Sequence, residues 1–116
     1  MNRRYNNDFN ERIYKEMQHK FSVMDLDAVI FHSSKNGNRV MIVEHKYDNE
    51  PVRKMQEVML KMLQDLIDWS RLDHWSGVYI LRELGDDKFE LLHVDKEKGI
   101  IVTFKQLETL FAGGEL

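Results

Sequence analysis

The chain has no cysteine and a single proline in 116 residues. No disulfide framework and no thiolate zinc site can organise it, and a reducing, intracellular setting fits. It has no run approaching the ~18 consecutive apolar residues of a membrane span. Met1-Asn2-Arg3-Arg4-Tyr5 lacks the apolar stretch of a signal peptide, so a cytoplasmic protein away from membranes is expected. There is no His-x-x-x-His pair, nucleophile elbow, phosphate loop or glycine-rich dinucleotide fingerprint, which removes the simplest zinc-hydrolase, serine-hydrolase and nucleotide-binding readings. Basic charge is not in excess either: the net charge is -3, which does not advertise a nucleic-acid binder. Repeats, low-complexity segments and linkers are missing.

What is present is an ordinary soluble composition, 42% hydrophobic and 32% charged, in a chain long enough for one core and too short for two. A single domain over residues 1–116 is expected. The charge is uneven. Residues 1–20 carry five Lys/Arg against three acids and residues 51–71 four against three, whereas residues 72–116 hold nine acids against five bases. The acid excess of the last third favours protein partners. Acids at a metal site, however, are offset when the cation binds.

Periodicity divides the chain into elements. Phe9, Ile13, Met17 and Phe21 recur at four-residue spacing and predict a helix over 8–20, capped by Asn7 or Asp8. Glu16 falls between Phe9 and Ile13 on its inward side, or alternatively pairs with Lys20 on a solvated flank. Residues 22–32 and 39–47 read as strands joined by Lys35-Asn36-Gly37-Asn38, with Asn-Gly as the hairpin signal. Both strands are close to continuously apolar, as in strands covered on both faces. A long helix over 51–70 starts with Pro51 in its first turn. Val52, Met55, Val58, Met59, Met62, Leu63, Leu66 and Ile67 form its apolar face, and Gln56 is a polar exception on that side. Strands follow near 77–83, 88–94 and 100–102. A last helix lies near 104–111, after which Gly113-Gly114 frays. Trp69 and Trp75 are expected to pack. The order α-β-β-α-β-β-β-α implies one α/β domain with a central mixed sheet flanked by helices.

The charged ends of the hairpin carry the chemistry. Glu44 and Lys46, two apart on a strand, share a face, and Asp25, Asp27, Val29 and Phe31 share one side of the preceding strand. If register joins those sides, carboxylates converge beside an ammonium. Hard cations such as Mg²⁺ take oxygen ligands and keep several waters. Asp27, Glu44 and the backbone carbonyl of His45 supply such ligands, with Asp25 as an auxiliary acid. Either aspartate can be the ligand; Asp27 is preferred because the apolar strand starts immediately after it. Lys46 can orient or deprotonate a water, or stabilise charge developing on a phosphate. The His45 side chain is expected on the opposite face.

These elements resemble the PD-(D/E)XK nuclease superfamily, the restriction-endonuclease-like fold, over roughly residues 8–83. The matching features are an N-terminal helix with an inward Glu16, the strand-opening Asp27, the tripeptide Glu44-His45-Lys46 and a following helix with Gln56 on its inner face. The resemblance implies a Mg²⁺- or Mn²⁺-dependent nuclease acting on DNA, with Asp27 and Glu44 as metal ligands, Lys46 as catalytic lysine, and Glu16 and Gln56 as auxiliary site residues. Two departures stand out: Met24-Asp25-Leu26-Asp27 has no proline before the acid, and there is no room for a target-recognition domain. Sequence-specific cutting would then need a homodimer or a partner protein. Arg53 and Lys54, close to the active strand end, are the preferred phosphate contacts. The alternative from another class is a non-catalytic binding or adaptor domain on the same fold.

Overall fold

The structure, a computed structural model, describes Arg12, Lys15, Glu16 and residues 26–35 and 37–116. Strands β1 (Ala28–Ser34), β2 (Gly37–Tyr47), β3 (Gly77–Gly85), β4 (Lys88–His93) and β5 (Ile100–Val102) form one sheet in that spatial order. Two helices accompany it among the described residues, α1 (Lys54–Asp68) and α2 (Phe104–Phe111). Strands β2 and β3 are parallel and every other neighbouring pair is antiparallel. The sheet is therefore mixed, with α1 as the crossover between its two parallel strands. Of the expected first helix, Arg12, Lys15 and Glu16 are described and all three are helical; the rest lies outside the described residues.

Alternate residues of the central strands build two cores. Met41, Val43, Tyr79 and Leu81 pack with Leu107 and Leu110 of α2 on one face. Ile42, Val78 and Ile80 pack with Leu60 of α1 on the other. The period-two alternation of strand side chains makes this three-layer arrangement possible.

Boundaries differ from the sequence expectation where tertiary partners intervene. Helix α1 begins at Lys54 with Arg53 as its N-cap, so Pro51 precedes the helix and is not in its first turn. Its inward stripe is narrower than expected: Val52, Leu63 and Ile67 pack against the core as expected. Leu60 and Gln64 are buried, whereas Met55, Val58, Met62 and Leu66 are exposed. The cause is visible at Gln64: its Oε1 accepts the Val78 N–H at 2.6 Å and its Nε2 donates to Asp68 at 2.8 Å. A polar side chain is thus drawn inward to serve the start of β3. Gly77 permits that approach, because a Cβ there would stand 2.7 Å from the His93 ring and 2.9 Å from Gln64 Oε1. Trp75 packs as expected, but Trp69 is 90% exposed. In the first hairpin Ser34 pairs with Gly37, so the turn falls one residue earlier than Asn36-Gly37 would centre it, and Gly37 opens β2 at φ +126°. Among the described residues nothing covers the side of β1 that carries Val29 and Phe31, where both are exposed.

The end of the chain is tied down, contrary to the expected fraying. Buried Arg39 donates from Nε to Asp73 at 2.8 Å and from Nη1 to the carbonyls of Leu110 and Gly114, each at 2.7 Å. Helix α2 itself matches its expected limits, because Thr103 and Gln106 form a reciprocal capping box at its start.

Candidate functional site

The register that pairs Ala28 with Val43 and Val29 with Ile42 sets the residues just before β1 beside those just after Val43. Asp27 therefore meets the end of β2, and its Oδ2 accepts the His45 backbone N–H at 2.8 Å. Glu44 follows Ile42 on the α1 face, and Lys46 follows Glu44 on the same side. Both are buried. The long helix adds Gln56, whose Nε2 donates to Glu44 Oε1 at 2.6 Å. Thus Asp27, Glu44, Lys46 and Gln56 come together from three elements at one end of the sheet.

Lys46 is held between two acids. Its Nζ lies 3.7 Å from Glu44 Oε1 and 3.5 Å from Glu50 Oε2. Glu50 also accepts the Tyr47 N–H at 3.1 Å, and that backbone bond is the main reason its carboxyl stays below the usual range. The loop carrying Glu50 is anchored in turn by Arg82, whose guanidinium donates to the carbonyls of Asp48 and Glu50. Glu50 and Arg82 were not singled out from the sequence. The i, i+4 spacing of Lys46 and Glu50 was the available local signal, but a strand-to-loop segment gives that spacing no helical meaning.

Glu44 is the electrostatic centre of the group. Burial foremost, and then the negative charge of Asp27, push its carboxyl up to about 7; Lys46 and the Gln56 amide pull the other way without prevailing. Protonated, Glu44 can share a hydrogen bond with Asp27, which favours the neutral form further. Two buried acceptors are left without a hydrogen-bond partner, Glu44 Oε2 and Gln56 Oε1. Buried acceptors are seldom orphaned, because each loses the water it bound in the unfolded chain. A hard cation between Asp27 and Glu44 would relieve both their repulsion and the orphaned oxygen, so this donor set fits Mg²⁺ or Mn²⁺. The protein side chains would supply only part of its shell. Among the described residues no group of three or more His, Cys, Asp and Glu side chains is placed to hold a metal.

The remaining sequence candidates fall elsewhere. Glu16 is exposed and its Oε1 accepts from Arg12 Nε at 3.0 Å, one turn away; its alternative partner Lys20 lies outside the described residues. Asp25 lies outside the described residues. Arg53 and Lys54 are exposed at the start of α1. The His45 side chain points to the α2 face, as expected, where Nε2 lies 2.6 Å from Glu83 Oε2. That pair borders an apolar cavity of about 640 Å³ lined by Phe89, Phe104 and Phe111. No helix of the described residues is long and apolar enough to cross a membrane.

Comparison with protein-family models, with curated proteins and with solved structures finds no match.

Proposed function

We propose that the chain is a divalent-metal-dependent nuclease that hydrolyses phosphodiester bonds in DNA, on a restriction-endonuclease-like domain. The observation that carries this reading is Glu44: a buried carboxylate with one orphaned oxygen, opposed by Asp27 and placed 3.7 Å from the Lys46 ammonium. Buried like charges raise the energy of the apo protein and are relieved by a cation, which is a reason to hold them together in a metal site. Asp27 and Glu44 would hold Mg²⁺ or Mn²⁺, with the His45 carbonyl as a backbone ligand. Bound there, the cation supplies Lewis acidity toward a phosphate oxygen and lowers the pKa of a water. Gln56 fixes the Glu44 rotamer through its 2.6 Å hydrogen bond. Glu50 fixes the Lys46 ammonium, leaving it to hold a water or a phosphoryl oxygen as negative charge develops. Arg53 and Lys54 offer exposed cations for the phosphate backbone. The preference for DNA over RNA rests on the resemblance of Asp27 and Glu44-His45-Lys46 to that superfamily's motif. The compartment proposed is the cytoplasm.

The test is cleavage of branched, single- and double-stranded DNA with Mg²⁺ or Mn²⁺, run alongside calorimetric metal binding. Metal-dependent cutting by the native chain that disappears in Lys46→Ala, with binding lost in Glu44→Gln, supports the enzyme. A chain that binds no metal and cuts nothing is the binding or adaptor domain instead.

A further inference from the structure

Helix α2 crosses its face of the sheet on a diagonal. Its first residue, Phe104, donates its N–H to Asp87 in the β3–β4 turn at 3.0 Å. Near its other end the Leu110 carbonyl accepts from Arg39, close to the start of β2. Strands β2 and β3 are parallel, so those anchors lie at opposite ends of the strands. The corner left over, at the ends of β2 and β3, is where the cavity of about 640 Å³ opens. Leu81 and Leu107 are its buried floor. Spacings of three and four residues bring Phe104, Glu108 and Phe111 of α2 to it together. Register sets Glu83 opposite Phe89 on the sheet side.

The walls and the charges say what fits. Cavities of ~300–1,000 Å³ with apolar walls and a few polar groups enclose a whole small organic molecule. Phe89 and Phe104 touch, with ring centroids 6.2 Å apart, so they form one continuous aromatic wall. The charged groups are both acids: Glu83 and Glu108 line the cavity beside His45, and no Lys or Arg of the described residues joins them. His45 engages one oxygen of Glu83 at 2.6 Å, and a carboxylate keeps acceptor capacity for a second donor. Two carboxylates beside apolar walls repel an anion and attract a cation, and aromatic faces add to that attraction.

We propose that this cavity binds a small hydrophobic amine, its apolar body against Phe89, Phe104 and Phe111 and its ammonium group directed to Glu83 and Glu108. The site lies on the opposite face of β2 from Glu44 and Lys46, and the inference does not depend on the nuclease reading.

Titration of the full chain with naphthylethylamine, its neutral analogue naphthylethanol and the anion naphthylpropionate tests it, read by calorimetry and NMR. The amine binds, the alcohol binds about tenfold more weakly for want of a charge-assisted hydrogen bond, and the anion does not bind. Glu83→Gln with Glu108→Gln lowers the amine to the affinity of the alcohol and leaves the alcohol within about twofold. Ala112→Trp, at an exposed position of the cavity wall, fills the space and abolishes binding of both, with circular dichroism unchanged. A native chain that binds none of the three overturns the proposal, as when residues 1–25 occupy the cavity. Equal affinity for all three overturns the amine assignment. Binding unaltered by Ala112→Trp places the ligand outside this cavity and overturns the proposal too.

Discussion

Strand β2 serves two faces of unlike character with alternate residues. Toward α2 it presents Met41, Val43 and His45, and toward α1 it presents Ile42, Glu44 and Lys46. On the α2 face the buried polar group, Arg39, is fully engaged by Asp73 and two carbonyls. On the α1 face Glu44 and Gln56 are each left with an orphaned oxygen, and Glu44 is held against its own charge. Satisfied buried polar groups stabilise one arrangement, and unsatisfied ones store free energy that a ligand can release. The contrast separates a clamp from a site within one strand.

The sharpest way to break the contrast is to remove Lys46. Lys46→Ala is expected to lower metal-dependent cleavage by about 10²-fold or more, the range for losing a positioned proton-transfer or charge-stabilising group. Residual cutting within a few-fold of native would place the chemistry elsewhere. On the other face the equivalent deletion should cost stability. Arg39→Met leaves Asp73 and the carbonyls of Leu110 and Gly114 without their donor, a loss of about 3 kcal/mol. Thermal melting should fall by roughly 10 °C. A change within a degree or two would show that water replaces the guanidinium at no cost.

Glu44 gives the contrast a pH signature. Burial and the charge of Asp27 push its carboxyl up to about 7 in the folded chain, well above the ordinary glutamate range of about 4.3. Between those values the native state keeps a proton that the unfolded chain has released, so the native state binds more protons and stability falls as pH rises. The metal-free protein should therefore lose about 2 kcal/mol between pH ~4.5 and ~7, allowing for partial solvent screening. Glu44→Gln should flatten that part of the profile. Mg²⁺ takes the ionised form, so its affinity should rise with pH through 7 and its binding should release a proton. Denaturant melts at stepped pH and calorimetry in buffers of different ionisation enthalpy measure both; a flat native profile would remove the strain assigned to Glu44.

Much of this was legible in period and spacing. Two-residue alternation put Glu44 and Lys46 on one face and the His45 ring on the other, and the last helix was placed at its observed limits. The Asn-Gly signal identified the hairpin but centred its turn one residue late. The face of α1 was read correctly at Val52, Leu63 and Ile67 and too widely at Met55, Val58, Met62 and Leu66. Its apolar residues span so much of the circumference that hydrophobicity alone does not choose a side, and the choice falls to Gln64 bonding to Val78 fourteen residues on. The Arg39 clamp was invisible because its partners are 34, 71 and 75 residues away. Of the two placements the sequence left open for Glu16, the described residues show the solvated one, with the side chain exposed and paired to Arg12 one turn back.

The smallest effect is expected at the seam between the two faces. Glu83 bonds the ring of His45, the residue between the two site side chains, so coupling between faces would have to pass through that contact. Glu83 and His45 are each about a third or more exposed, at 40% and 34%, and half-solvated pairs contribute under about 1 kcal/mol. Glu83→Gln keeps the volume and one acceptor while removing the charge. It should shift stability by less than about 0.5 kcal/mol and leave the metal affinity unchanged, since the backbone of His45 is fixed by the β2–β3 ladder and by Asp27, not by its ring. A loss of metal affinity in Glu83→Gln would mean that the ring transmits charge to the Glu44 side of the sheet. The two faces of β2 would then have to be treated as one site.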